Sequence, residues 1–273
     1  MKRSNVFSFC NQKGGVGKTT SAINIATGLA QSNQQVLLID IDPQGNATSG
    51  LGIDKKSVSK TIYHIIIEEI HIKESIVRTG LDNLSIVPSN TDLSGAEIEL
   101  ISFIGREFRL RRALESVIEE FDFIFIDCPP SLGLLTVNAL TASDFIFIPL
   151  QCEYYALEGL GQLLGTHSLV KKNLNSNLEV GGVLLTMADF RTKLTEQVIQ
   201  EVRNYFHEKV FDTVIPRSVR LSEAPSFGKP GIIYDKKSKG AKSYLDATKE
   251  FLVKFGAGKA DETTAIEKGV MTK

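Results

Sequence analysis

One stretch, Asn11-Gln12-Lys13-Gly14-Gly15-Val16-Gly17-Lys18-Thr19-Thr20, constrains this chain more than any other. It falls between an apolar run at residues 6–10, which reads as a strand, and a segment of helical periodicity beginning at Thr19 or Thr20. A glycine-rich turn between a strand and a helix is the setting of a phosphate-binding loop. Gly14, Gly15 and Gly17 let successive backbone N–H groups, Val16's among them, curl around phosphate oxygens, and the helix N-terminus that includes Thr20 adds its dipole. On this reading Lys18 reaches the β and γ phosphates and the Thr19 hydroxyl takes a Mg²⁺ coordination position. The general pattern asks for glycine where this chain has Gln12, and a lysine, Lys13, follows it.

Around the loop, short β-branched and aromatic runs alternate with helical segments: residues 6–10, 19–31 and 35–41, then 121–127, 132–141, 144–150, 157–172, 180–185 and 195–207. Val36-Leu37-Leu38-Ile39, Phe123-Ile124-Phe125-Ile126 and Phe145-Ile146-Phe147-Ile148 are apolar at consecutive positions, as strands buried on both faces must be. The expectation is an α/β fold, a doubly wound, mostly parallel sheet flanked by helices. Residues 57–92 are less regular, with an Ile-rich helix-like stretch at 62–70 and short strands near 74–77 and 84–87. Residues 1–255 are expected to form one domain and 256–273, without apolar period, a flexible tail.

Composition removes several classes. With 42% hydrophobic and 23% charged residues the chain is neither disordered, collagenous nor coiled coil as a whole. No apolar run approaches the roughly 18 to 20 residues that span a bilayer, and the N-terminus lacks the apolar core of a secretory signal, so a cytoplasmic location is expected. Cys10, Cys128 and Cys152 form no C-x-x-C pair, against a disulfide framework or zinc site, and are expected as buried thiols.

Two further segments end strands in carboxylates. Leu37-Leu38-Ile39-Asp40-Ile41-Asp42-Pro43-Gln44-Gly45 places Asp40 and Asp42 on one face by the strand period, toward the crevice beyond the strand ends where ligands bind. Asp40 before Ile41-Asp42-Pro43 is equally good turn chemistry, and a cap of the following turn stays open for it. Phe121 to Asp127 is an apolar strand closing on Asp127, placed to hold Mg²⁺ directly or through water, and Pro129-Pro130 must leave the sheet as a loop.

Lys13-Gly14-Gly15-Val16-Gly17-Lys18-Thr19 resembles the deviant Walker A loop of the ParA/MinD family of P-loop ATPases. The likeness to the Soj/ParA branch spans residues 11–252 and includes Pro149-Leu150-Gln151-Cys152-Glu153-Tyr154-Tyr155-Ala156-Leu157-Glu158-Gly159-Leu160, Thr186-Met187-Ala188-Asp189-Phe190-Arg191-Thr192 and Ile215-Pro216-Arg217-Ser218-Val219-Arg220-Leu221-Ser222-Glu223-Ala224-Pro225-Ser226-Phe227-Gly228. The resemblance implies ATP and Mg²⁺ as cofactors and hydrolysis to ADP and phosphate. It makes Lys13 a cation acting across a homodimer interface and Asp42 the switch I group that orients or activates the attacking water, within reach of the metal. Asp40 takes a supporting or Mg²⁺-water role, Asp127 opens switch II, and Met187, Pro216 and Arg217 lie by the adenine. It further implies a sandwich dimer that coats non-specific double-stranded DNA of the nucleoid and is released when a ParB-type centromere-binding protein triggers hydrolysis.

The net charge of −1 hides an asymmetry that suits this role: residues 217–242 carry Arg217, Arg220, Lys229, Lys236, Lys237, Lys239 and Lys242 against only Glu223 and Asp235. These residues, with Arg191 by resemblance, are the expected DNA surface, and Arg217 is left between adenine and DNA. A monomer offers few phosphate contacts and a dimer twice as many, which lets ATP switch DNA affinity without touching DNA. With only a few residues before the first strand, the helix-turn-helix extension of larger plasmid relatives, and with it operator-specific binding, is not expected. Residues 257–273 offer only Ile266, Val270 and Met271 as an apolar face, little support for a MinD-type membrane helix. A P-loop ligase of the dethiobiotin-synthetase type shares loop and fold but leaves Lys13 and the basic stretch without a role, and the absent C-x-x-C disfavours an Mrp-type metal-cluster carrier.

Overall fold

The computed structural model describes residues 4–153, 156–157 and 160–256. In chain order the elements are β1 (Asn5–Phe9), α1 (Lys18–Gln31), β2 (Val36–Asp40), α2 (Asn46–Gly50), α3 (Ile62–Ile67), β3 (Val77–Arg78), β4 (Leu84–Val87), α4 (Ala96–Glu99) and α5 (Arg109–Leu114). They continue as β5 (Phe123–Asp127), α6 (Leu134–Ala142), β6 (Phe145–Gln151), α7 (Leu160–Asn173), β7 (Glu179–Thr186), α8 (Lys193–Phe206), α9 (Val219–Glu223), α10 (Gly231–Tyr234) and α11 (Lys239–Phe255). The strands form one sheet in the order β3-β4-β2-β5-β1-β6-β7, parallel throughout except for β3, which runs antiparallel on β4.

The alternating sequence of the central strands divides the core in two. Along β5 the side chains of Phe123 and Phe125 enter one face and those of Ile124 and Ile126 the other. Phe7, Phe9 and Phe147 join the first face, where α1 and α11 cover the sheet and Phe251 packs 4.8 Å from Phe7, centroid to centroid. Val6, Ile146 and Ile148 join the second, which α6 covers with Leu135 and Ala139. Neither face is left to water, the packing that a parallel sheet built by helical crossovers demands. β1 lies between β5 and β6, so successive connections diverge there and open a crevice at the carboxyl ends of the strands. The loop of residues 10–17 sits in that crevice.

The sequence reading needs local corrections. α1 starts at Lys18 rather than Thr19 or Thr20. The stretch at 62–70 is helical only to Ile67, because Glu69 turns to φ 55°, outside the right-handed region. The strand placed near 74–77 begins at Val77, after a 3₁₀ turn at Ile72–Glu74 that buries Ile72. Helices α2, α4, α5 and α9 to α11 had no counterpart in the expectation. The tail and the membrane-helix question concern residues outside those described; no described helix is long and apolar enough to cross a membrane.

Candidate nucleotide site

The glycine loop is held open from three sides. Asn11 is buried, donates from its side chain to the Pro149 carbonyl at 2.8 Å, and accepts the Lys13 N–H at 3.0 Å. The Thr186 hydroxyl at the end of β7 donates to the Val16 carbonyl at 2.8 Å. Gly15 and Gly17 adopt φ 75° and 89°, a conformation that L side chains rarely take, and a Cβ at Gly14 or Gly15 would meet nothing within 4 Å. The loop is therefore a cradle whose rim is free of side chains.

Two adjoining cavities meet over this cradle and share Gly17, Thr20, Met187 and Pro225. The first, about 390 Å³, is lined by Gly14, Gly15, Lys18, Thr19 and Asp42. The second, about 310 Å³, is walled by Thr186, Ile215, Pro216, Arg217, Leu221 and Tyr244. A bridge between Ala188 and Pro216, with the Arg217 N–H on the Ala188 carbonyl at 3.1 Å, fixes its far wall, and Met187 enters it from a left-handed turn at φ 52°. A chamber over the phosphate cradle, joined to a smaller and more apolar one, suits the two parts of a nucleotide.

The three strand-end carboxylates are not equivalent. Asp42 lines the phosphate chamber, and its loop is closed by the Gln44 N–H on Oδ1 at 2.9 Å. Asp40 does not face the chamber, which corrects the expectation that it shares a ligand-facing surface with Asp42. The strand ends at Asp40, the chain turns, and the Asp40 carboxylate points inward. It accepts the Thr48 N–H at 2.8 Å, the Thr48 hydroxyl at 2.7 Å and the Asp42 N–H at 3.2 Å. Asp40 is thus the anchor of the turn into α2, and burial, only partly offset by these donors, pushes its pKa up to about 6.

Asp127 stands beside Asp40 on the neighbouring strand, paired in register. Both of its carboxylate oxygens are buried and have no hydrogen-bond partner among the described residues. Burial, and next the negative charge of Asp40, push its pKa well above the carboxylate range; Thr19 and Lys18 pull the other way. An orphaned, buried carboxylate behind a threonine hydroxyl and a phosphate cradle fits a hydrated dication, which would supply the missing hydrogen bonds and charge. The residues present therefore suit Mg²⁺ with ATP.

Lys18 is 7% exposed, with its ammonium turned across the loop to the Lys13 carbonyl at 3.3 Å. Lys13 lies outside the chamber, its side chain 48% exposed and ion-paired to Glu153, a residue that also accepts from Gln151. Glu153, Thr48 and Thr186 were not singled out in the sequence, and Asn11 was read only as the first residue of the loop stretch; Thr186, which anchors the loop from the end of β7, lies too far along the chain for a local motif to include. Of the basic residues, Arg191 is bidentate on Asp189, whose carboxyl it holds at about 2, and Arg220 contacts Glu223 and Asp235. Lys229, Lys236, Lys237, Lys239 and Lys242 are exposed and form no ion pair among the described residues. Cys10, Cys128 and Cys152 are buried and free, and burial raises the Cys128 thiol and takes Cys152 to about 11.

The profile of a family described as an AAA domain matches residues 4–180. The chain is 59% identical over 245 residues to the sporulation initiation inhibitor protein Soj of Bacillus subtilis, covering 90% of this chain and 97% of that protein. It is 55% identical over 247 residues to the chromosome partitioning protein ParA of Myxococcus xanthus, covering 90% and 87%. Among solved structures, cobyrinic acid a,c-diamide synthase of Mycobacterium smegmatis with bound ATP analog and magnesium resembles it with a TM-score of 0.82 at 36% identity, covering 94% of this chain and 97% of that one.

Proposed function

Because the chain belongs to the ParA/Soj family of partition ATPases, we propose that it hydrolyses ATP to control its own grip on DNA. It would close as an ATP-bound homodimer, hold non-specific duplex DNA, and let go when a ParB-type centromere-binding protein stimulates hydrolysis. The observation that carries this reading is the position of Lys13. Lys18, Thr19 and Asp42 converge on one chamber while Lys13, from the same loop, points away from it to Glu153. A second cation on a phosphate loop that is not used on its own nucleotide is available to a second copy's.

In this reading Lys18 and the loop N–H groups would bind the β and γ phosphates, and Thr19 and Asp127 would hold Mg²⁺, Asp127 directly or through water. The metal supplies charge neutralisation at the phosphates when bound. Asp42, at the chamber wall, orients the attacking water and accepts its proton at the carboxylate. Asp40 keeps Asp42 and α2 in place. Lys13 of each copy, released from Glu153, offsets the negative charge that grows on the partner's γ-phosphoryl oxygens. The apolar chamber walled by Met187 and Pro216 takes the adenine, and Arg217 borders it. The basic surface of residues 217–242 contacts phosphates of DNA, with the five free lysines ahead of Arg191 and Arg220, which are already engaged with carboxylates.

The experiment is retention of non-specific duplex DNA with no nucleotide, ADP or ATP, at low and at physiological salt, alongside Asp42→Ala, Lys18→Ala and Gly14→Val. Retention should need ATP, increase in Asp42→Ala, vanish in the other two and fall steeply with salt. No retention under any nucleotide would sink the reading and favour a metabolic ligase, the kind of reaction that the name of the Mycobacterium smegmatis protein denotes.

A further inference from the structure

The turn of residues 42–45 carries Asp42 to the chamber wall. Its own hydrogen bonds are the Gly45 N–H on the Asp42 carbonyl and the Gln44 N–H on Asp42 Oδ1, both at 2.9 Å, and they fix its shape but not its height above the phosphate cradle. The height is set from beneath by Thr48, which is buried in α2. The Thr48 hydroxyl donates to Asp40 Oδ2 at 2.7 Å and accepts the Ser89 N–H at 2.9 Å, so its proton and a lone pair are both in use. Asp40 Oδ2 also accepts the Thr48 N–H at 2.8 Å, and Asp40 Oδ1 accepts the Asp42 N–H at 3.2 Å. A continuous line of hydrogen bonds thus runs from Ser89, in the loop after β4, through Thr48 and Asp40 to the backbone of Asp42.

Burial and packing make this line stiff. Asp40, Thr48 and Ser89 are all 0% exposed, so water has no access to replace a lost hydroxyl and the groups it leaves behind would go unpaired. Gly45 adopts φ 60°, and a Cβ there would stand 2.8 Å from the Ser89 carbonyl, so the turn rests directly on the loop after β4. β4 is in turn paired with β2 from Val36 and Leu84 to Ile39 and Val87, which seats Ser89 on the sheet itself. Across the side of the turn, half-buried Lys55 donates to the Gln44 carbonyl at 2.7 Å.

We infer that Thr48 is a positioning residue for hydrolysis: through Asp40 it holds Asp42 at the height where its carboxylate meets the attacking water, and the loop after β4 is its abutment. The inference rests on the reading of Asp42 as the group that orients that water, and adds what places it. Thr48 lines neither cavity, and its bonds go to Asp40, Ser89 and the backbone of Leu51 and Ile53. Binding and catalysis should therefore separate. The glycine loop, Lys18 and Thr19 hold the nucleotide without Thr48, whereas the rate depends on where one carboxylate stands, and a displacement of about 1 Å costs up to about a hundredfold.

The test compares wild type, Thr48→Val, Thr48→Ser and Asp42→Ala as full chains with ATP, Mg²⁺ and duplex DNA, reading ATP affinity, single-turnover hydrolysis and ATP-dependent dimerisation. Thr48→Val keeps the shape and loses the hydroxyl. It should bind ATP within about twofold of wild type, hydrolyse it at least about tenfold more slowly, and persist as an ATP-bound dimer as Asp42→Ala does. Thr48→Ser keeps the hydroxyl without the methyl group and should hydrolyse ATP within about threefold of wild type. A wild-type rate in Thr48→Val overturns the inference. So does Thr48→Ser as slow as Thr48→Val, which assigns the effect to packing, and so does a loss of ATP affinity in Thr48→Val, which assigns Thr48 to binding. Should Thr48→Val fail to fold, Thr48→Ala decides in its place, because the space it opens admits a water to the Ser89 N–H. Slow hydrolysis with ATP affinity kept then supports the inference, and a wild-type rate overturns it. If Asp42→Ala itself hydrolyses ATP at the wild-type rate, the reading of Asp42 is wrong and the positioning role falls with it.

Discussion

Asp127 ends an apolar strand in a position where burial opposes its charge, and the consequence is testable. With its pKa raised in the folded state, the carboxyl is neutral in folded and unfolded chains alike below about pH 4, and its cost to folding builds as pH rises from the unfolded value toward the folded one. Asp127→Asn should therefore melt above wild type at pH 7.5 without nucleotide or metal, by about 2–4 °C per kcal/mol relieved, and match it near pH 4. It should also lose the extra stabilisation that Mg²⁺ and ATP together give wild type. Calorimetry at the two pH values decides it, and an unchanged or lowered melting temperature at pH 7.5 would mean that the carboxylate finds partners in solution. Gly14→Val is the complementary case. A Cβ there meets nothing within 4 Å among the described residues, so folding and ATP binding should stay near wild type while ATP-dependent dimerisation fails, as size-exclusion chromatography would report. Asp127, Lys18 and Thr19 were legible because strand, loop and helix place them by local chain geometry alone. The inward turn of Asp40 was not, because it depends on Thr48, eight residues away around a turn whose direction no periodicity encodes.

At the level of elements, the turn before Lys229 rests directly on the helix after Asp42. Gly52 and Gly228 adopt φ 80° and 59°, and a Cβ at Gly228 would stand 2.8 Å from the Gly52 Cα. Backbone touches backbone there, joining α2 to the basic segment, while the Asn24 side chain of α1 accepts the Ile232 N–H at 2.9 Å and ties in α10. Gly228→Ala should lower stability by about 1–2 kcal/mol for the left-handed strain, and more for the clash, so a melting temperature within 1 °C of wild type would show that the seam yields freely. Long buried strands such as β5 were readable from consecutive apolar residues. Helices α4 and α5 were not, being one or two turns long with no room for a period to repeat, and α9 and α10 are equally short. α11 has a usable apolar period, Tyr244, Ala247 and Phe251, but its lysine-rich first turn reads as a charge run before it reads as a helix.

For the whole molecule, the basic surface and the nucleotide chamber belong to one chain but, in the proposed function, would act at different stoichiometries. On the proposed function, five exposed lysines per copy would make a weak, salt-sensitive patch, and the logarithm of DNA affinity would fall with the logarithm of salt in proportion to the phosphates neutralised, with a slope of about −0.9 for each. If ATP acts by bringing two patches onto one surface, the ATP-bound Asp42→Ala form should show about twice the salt slope of the nucleotide-free protein, not merely tighter binding at one salt concentration. Lys236→Ala and Lys237→Ala together should then flatten that slope more than Arg191→Ala, because the Arg191 guanidinium must first leave Asp189 to reach a phosphate. Fluorescence anisotropy with a short duplex between about 50 and 200 mM salt measures both quantities. Equal slopes with and without ATP would mean that the nucleotide reshapes the patch within one chain, along the seam between α2 and Gly228, rather than by doubling it.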